Sequence, residues 1–147
     1  MATIAVAVDG TEASAAALAF ALDKARSEEA QLQGIFVLDT GWADFIGNDW
    51  QSSRNARQGF LDYIRSELEK QSELARQQFA AATADWPQAR FTMLPGDPAL
   101  TLTELMQRGE ADAMVLGEKV FQDCGRPSVK MLAKLLLQNV RQPVFVI

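Results

Sequence analysis

The chain has 147 residues, 48% apolar and 22% charged, and 14 Lys+Arg against 19 Asp+Glu leave a net charge of −5. That length suits one domain, residues 1–147, with a real core, and an acidic chain without a long cationic run lacks the electrostatic footprint of a nucleic-acid binder. There is no histidine and a single cysteine, Cys124, which excludes Ser-His-Asp and Cys-His catalysis, His-ligated metals, an internal disulfide and a multi-cysteine zinc site.

In chain order, Ile4-Ala5-Val6-Ala7-Val8 is a short β-rich run stopped by the turn signal Asp9-Gly10. Thr11 is placed to cap a helix, and the alanine-rich stretch from Ala13 to about Arg26 has high helix propensity. Leu32 to Leu38 reads as a second strand ending at Asp39. An irregular segment follows, carrying Trp42, Phe45 and Trp50 beside Gly41 and Gly47. Exposed, these aromatics would form a contact patch or lid; packed, they are added core. Phe60, Ile64, Leu68, Gln71, Ala75, Phe79 and Ala82 then step by three or four residues along one face of a long helix, which Trp86-Pro87 ends.

Ala89 to Leu94 is a third strand, closed by Pro95-Gly96. Asp97 followed by Pro98 is a helix start, and Gly109 suits the end of that helix after about Arg108. Ala113 to Leu116 is the centre of a fourth strand, and Gly117 opens a loop to about Pro127. Ser128 is placed to cap a helix from Val129 to about Val140, and Pro143 to Ile147 is a fifth strand. Strands alternating with helices in this way imply right-handed crossovers and a parallel, doubly wound α/β sheet with helices on both faces.

Ligands of such sheets sit beyond the carboxyl ends of the strands. Asp9 and Asp39 stand at two of those ends as hydroxyl or metal acceptors, or as ordinary turn residues. Neither G-x-x-x-x-G-K-[ST] nor, after the first strand, G-x-G-x-x-G occurs. Carboxylates at Asp9 and Glu12 would repel a pyrophosphate, so a Rossmann dinucleotide site is a poor fit. No run reaches the roughly 18 apolar residues of a membrane helix, and Met1-Ala2-Thr3-Ile4 does not open a signal peptide. Cytoplasmic residence is the expectation.

Four segments resemble one family in the same order. Ile4 to Glu12 is similar to the opening strand and D-G-S turn of the universal stress protein family, and Gly96-Asp97-Pro98-Ala99 to its G-x-P turn. Ala111 to Gly117 resembles its A-D-x-x-V-x-G strand, and Gln142 to Ile147 its terminal C-P-V-x-V-V strand, with Gln142 in place of the cysteine. The resemblance implies a five-stranded sheet ordered 3-2-1-4-5 and a homodimer joined through the C-terminal strand. An apolar strand at a sheet edge would recruit a partner on its own account, unless its own helices and loops shield it.

Many family members bind ATP through G-x2-G-x9-G-[ST] after the fourth strand. Carried over, the pattern starts on Gly117, then falls on Val120, Lys130 and Met131, so three of four positions depart. The resemblance therefore implies a degenerate phosphate loop and no firm cofactor, with ATP and magnesium held only if a shifted loop uses Gly125 and Ser128. Lys119, Arg126 and Lys130 would then supply charge; otherwise they are solvated. On the adenosine side it implies contacts from Asp9, Leu38 and Met114, the apolar pair being core residues if nothing binds. Cys124, beside Asp123 and close to Arg126, reads as an unreactive thiol. The expected function is a homodimeric binding or regulatory module with a possible partner protein. The alternatives are an ATP-binding member that senses nucleotide or hydrolyses it slowly, and a doubly wound enzyme acting on other substrates.

Overall fold

The computed structural model describes residues 2–38, 54–117 and 132–147. β1 (Thr3–Ala7) lies at the centre of the sheet because every residue from Ile4 to Val8 is apolar and buried on both faces, the pattern of an interior parallel strand. It pairs in parallel with β2 (Gln31–Leu38) and with β4 (Ala113–Leu116). β3 (Ala89–Pro95) and β5 (Val144–Val146) form the two edges, in the order β3-β2-β1-β4-β5 with every pairing parallel.

Between the strands run α1 (Glu12–Glu28), α2 (Arg54–Ala82), α3 (Pro98–Gln107) and α4 (Leu132–Asn139). α1 packs on β1, β2 and β4 and against α2, which covers β2 and β3; α3 packs against α4. Right-handed crossovers put the first pair on one face and the second on the other, because strand order reverses after β3. Burial of Leu18, Ile35, Phe36, Leu102 and Leu136, each contributing about 1.5–3 kcal/mol, outweighs exposed ion pairs such as Lys24–Glu28 and Lys70–Glu67, whose kind contribute about 0–1 kcal/mol.

The expected elements are present with shifted ends. α1 runs on to Glu28 and stops at Glu29, whose φ is 53°. α2 ends at Ala82, ahead of Trp86-Pro87: the Trp86 N–H closes a turn on the Thr83 carbonyl, and its indole donates to the Ala30 carbonyl. From Leu68 the expected inner face of α2 holds, with Ala75 and Phe79 buried and Gln71 and Ala82 half-buried. The side chains of Phe60 and Ile64 lie outside what is described. Phe79 sits on Gly34 of β2, where a Cβ would stand 2.5 Å from its ring, and tilts against Phe91 at 5.8 Å. Asp97 caps α3 by accepting from the Leu100 N–H at 3.0 Å, as Asp97-Pro98 predicts. Gln142, where the family pattern has cysteine, donates through Nε2 to the carbonyls of Met106 and Ala111 and so ties β5's approach to the end of α3.

α2 is longer than the sheet is tall. Its 29 residues span about 43 Å at 1.5 Å per residue, against about 26 Å for the eight residues of β2. The helix crosses the β1–α1 turn at Leu74–Ala75, so its N-terminal part extends past the carboxyl rim. Gly59, Asp62, Tyr63 and Arg65 there are exposed.

Candidate functional site

The carboxyl rim of the sheet brings together three of the residues singled out from the sequence. Asp9 follows β1, Gly117 follows the neighbouring β4, and Leu38 closes β2 on the other side. Asp9 and Gly117 are buried and Leu38 is half-buried. Met114 lies deeper: in register with Ala5 and Val144, it is fully buried in the core, three residues or roughly 10 Å before Gly117 along the strand. Gly125 and Ser128, together with Asp39, Val120, Cys124, Lys130, Met131 and the Trp42–Trp50 segment, lie outside the described residues.

The turn at Asp9 is built by its own side chains. Asp9 Oδ1 accepts from the Thr11 N–H at 2.9 Å and from the Thr11 hydroxyl at 2.6 Å. Such a local carboxylate bond closes a turn and positions the first turn of the helix that follows. Gly10 has φ +81°, and a Cβ on it would stand 2.9 Å from Leu74 Cβ and 3.0 Å from the Ala75 nitrogen. Only glycine serves there, both for the left-handed backbone and for the close approach of α2.

Two residues of this turn's surroundings were not singled out from the sequence. Ser14 Oγ accepts from the Asp9 N–H at 3.2 Å and lies 2.6 Å from Gln78 Oε1, while Gln78 Nε2 donates to the Thr11 carbonyl at 2.9 Å. The serine has one proton, and of its two acceptors the Gln78 oxygen at 2.6 Å takes it ahead of the Thr11 carbonyl at 3.2 Å. The bonds therefore form a closed ring from β1 through α1 to α2. Gln78 reads in sequence as a polar residue next to the buried face of α2, and nothing local marks it: its partners are 64 and 67 residues away.

The rim's remaining edges are fastened by main chain. The Gly96 N–H donates to the Leu38 carbonyl and the Ile147 N–H to the Leu116 carbonyl, both at 2.9 Å. A cleft of about 420 Å³ lies instead at the opposite, amino rim, lined by Thr3, Gln31, Gln33, Arg90 and Glu110 among others. It lies at the amino ends of β1, β2 and β3, remote from Asp9. Among the described residues no three Asp, Glu or Cys side chains are grouped to hold a metal ion.

The universal stress protein family model matches residues 1–147. The chain is 24% identical over 145 residues to universal stress protein MJ0531 of Methanocaldococcus jannaschii, covering 98% of this chain and 80% of that one. Its fold is similar to universal stress protein UspA from Lactobacillus plantarum (TM-score 0.72, 21% identity, 99% and 97% of the two chains). It is also similar to a universal stress protein solved in complex with cAMP (TM-score 0.67, 20% identity, 99% and 96%). A further likeness is to the universal stress protein from Archaeoglobus fulgidus in complex with dAMP (TM-score 0.55, 17% identity, 99% and 97%). The match over the full length, on a five-stranded sheet in the order 3-2-1-4-5, makes this chain a member of the universal stress protein family.

Proposed function

We propose that the chain is a single-domain, cytoplasmic, homodimeric binding or regulatory module that takes the nucleoside end of an adenine nucleotide at the Asp9 turn and grips a triphosphate poorly. The observation that carries this reading is the hydrogen bonding of the turn. The N–H groups of Asp9 and Thr11 are both engaged internally, by Ser14 Oγ and Asp9 Oδ1. A phosphate needs converging main-chain N–H donors, and two of those nearest here are turned to other acceptors. The turn therefore suits hydroxyl and amino groups of a nucleoside, with Leu38 beside it, and leaves phosphates to the segment after Gly117. There, Val120, Lys130 and Met131 replace two glycines and a hydroxyl of the family pattern. Structural relatives solved with cAMP and dAMP support a nucleotide ligand.

The homodimer is proposed through β5, an edge strand whose Val146 is 38% exposed, with Ile147 just after it 44% exposed; an apolar edge of this kind favours strand pairing with a second copy. Among the described residues no helix is long and apolar enough to cross a membrane.

Titration calorimetry of ATP with magnesium beside AMP tests the reading. AMP binding equal to or tighter than ATP binding is the expected outcome. ATP bound much more tightly than AMP would show a working phosphate loop and favour the nucleotide-sensing alternative, in which Gly125 and Ser128 close on the phosphates. Sedimentation should give a dimer, and a charge placed at Val146 should dissociate it.

A further inference from the structure

We propose that Gln78, acting through Ser14, is a positioning residue for the Asp9 turn, so that α2 helps set the affinity of the nucleoside end of the site. The inference rests on the reading of the carboxyl rim as an adenine-nucleotide site and extends it to a helix that places no residue among the expected ligand contacts.

The geometry is specific. The Gln78 amide uses both ends: Oε1 meets the Ser14 hydroxyl at 2.6 Å and Nε2 meets the Thr11 carbonyl at 2.9 Å. The opposite amide orientation would set two acceptors, Gln78 Oε1 and the Thr11 carbonyl, against each other, so the network selects this one. Ser14 passes the constraint on by accepting from the Asp9 N–H at 3.2 Å. Thr11 carries it to the Asp9 carboxylate, because its N–H and hydroxyl both donate to Oδ1. Asp9 is thus held at its main chain through Ser14 and at its side chain through Thr11, and both holds run to one amide on α2. Gln78 is half-buried and Ser14 fully buried, where a lost partner is not simply replaced by bulk water.

The same approach of α2 over Gly10 brings Leu74 and Ala75 against the turn within one helical turn of Gln78. A tilt of α2 therefore moves the turn in two ways, through packing and through the amide. The long N-terminal part of α2 beyond the rim gives such a tilt a lever outside the site.

A merely structural staple between two helices would lower stability and leave affinity alone. Three proteins separate the two roles: wild type, Gln78→Met, which removes both hydrogen bonds at similar length, and Thr83→Val. Thr83 is buried just past the C-terminal end of α2, five residues beyond Gln78 and away from the rim, with its hydroxyl donating to the Phe79 carbonyl at 2.7 Å, so its variant is a stability control outside the Asp9 turn. AMP affinity by calorimetry and amide hydrogen exchange at Asp9, Thr11 and Ser14 without ligand are read on each. For Gln78→Met, AMP affinity should weaken about tenfold, the equivalent of one or two net hydrogen bonds. Exchange at the three amides should rise at least as much, and Thr83→Val should change neither by more than about twofold. Unchanged affinity or unchanged exchange in Gln78→Met overturns the proposal, as does an equal loss of affinity in Thr83→Val. Should wild type bind no adenine nucleotide, the reading of the rim as a nucleotide site falls, and the exchange comparison alone decides whether Gln78 holds the turn.

Discussion

Two glycines with nearly the same φ offer a controlled measurement of how closely α2 approaches the β1–α1 turn. Gly10 has φ +81° and Gly109 φ +77°. A Cβ at Gly10 would meet Leu74 Cβ at 2.9 Å and main-chain atoms of Leu74 and Ala75 at 3.0 Å, whereas one at Gly109 would meet nothing within 4 Å. Alanine at either position incurs the left-handed penalty, about 1–2 kcal/mol. At Gly10 the helix backbone must also move, which adds about 1–3 kcal/mol as in other overpacked sites. Gly10→Ala should therefore lose about 2–5 kcal/mol, and a chain of this length then melts roughly 5–15 °C lower. Gly109→Ala should lose only its first part, roughly 2–6 °C. Urea unfolding with a shared m-value gives both numbers. Equal losses in the two variants would refute the close packing of α2 on the turn, and with it the physical basis for coupling that helix to Asp9.

Gly59 lies within α2 with open space where a Cβ would go, so Gly59→Ala should stabilise the protein by about 0.4–1 kcal/mol in the same unfolding assay. Asp97→Ala removes the acceptor of the Leu100 N–H and should cost about 1 kcal/mol, whereas Asp97→Asn should recover most of it. Gln142→Ala leaves the Met106 and Ala111 carbonyls without their side-chain donor; a loss of about 1–2 kcal/mol in denaturant unfolding is the expected outcome. On the surface of α2, a hydrogen bond from Arg76 holds the Glu73 carboxyl below its ordinary value. A lowered folded-state value adds stability above the unfolded value that disappears as pH falls through the folded one. Both side chains are largely exposed, so Glu73→Gln should leave the melting temperature at pH 7 within about 1 °C of wild type, a small change of the kind surface pairs give.

What this sequence determined by itself is what depends on neighbours along the chain. The unbroken apolar run of β1, the Asp97-Pro98 helix start, the glycine at 109 and the three- and four-residue spacing from Leu68 to Ala82 each act over a turn or two, and each appears close to where it was read. The order of the four family-like segments added the 3-2-1-4-5 sheet. The tertiary structure alone decided which distant groups meet. Met114 looks the same in sequence whether it lines a slot or fills the core, and its depth within β4 depends on the register with Ala5 and Val144. Gln78 is one polar residue among many on α2, and its position against Ser14 and Thr11 arises only when α2 crosses above Gly10. The physical reason is that a side chain's local preference sets its helix or strand, whereas a hydrogen bond across more than sixty residues exists only once packing has brought the two elements into contact.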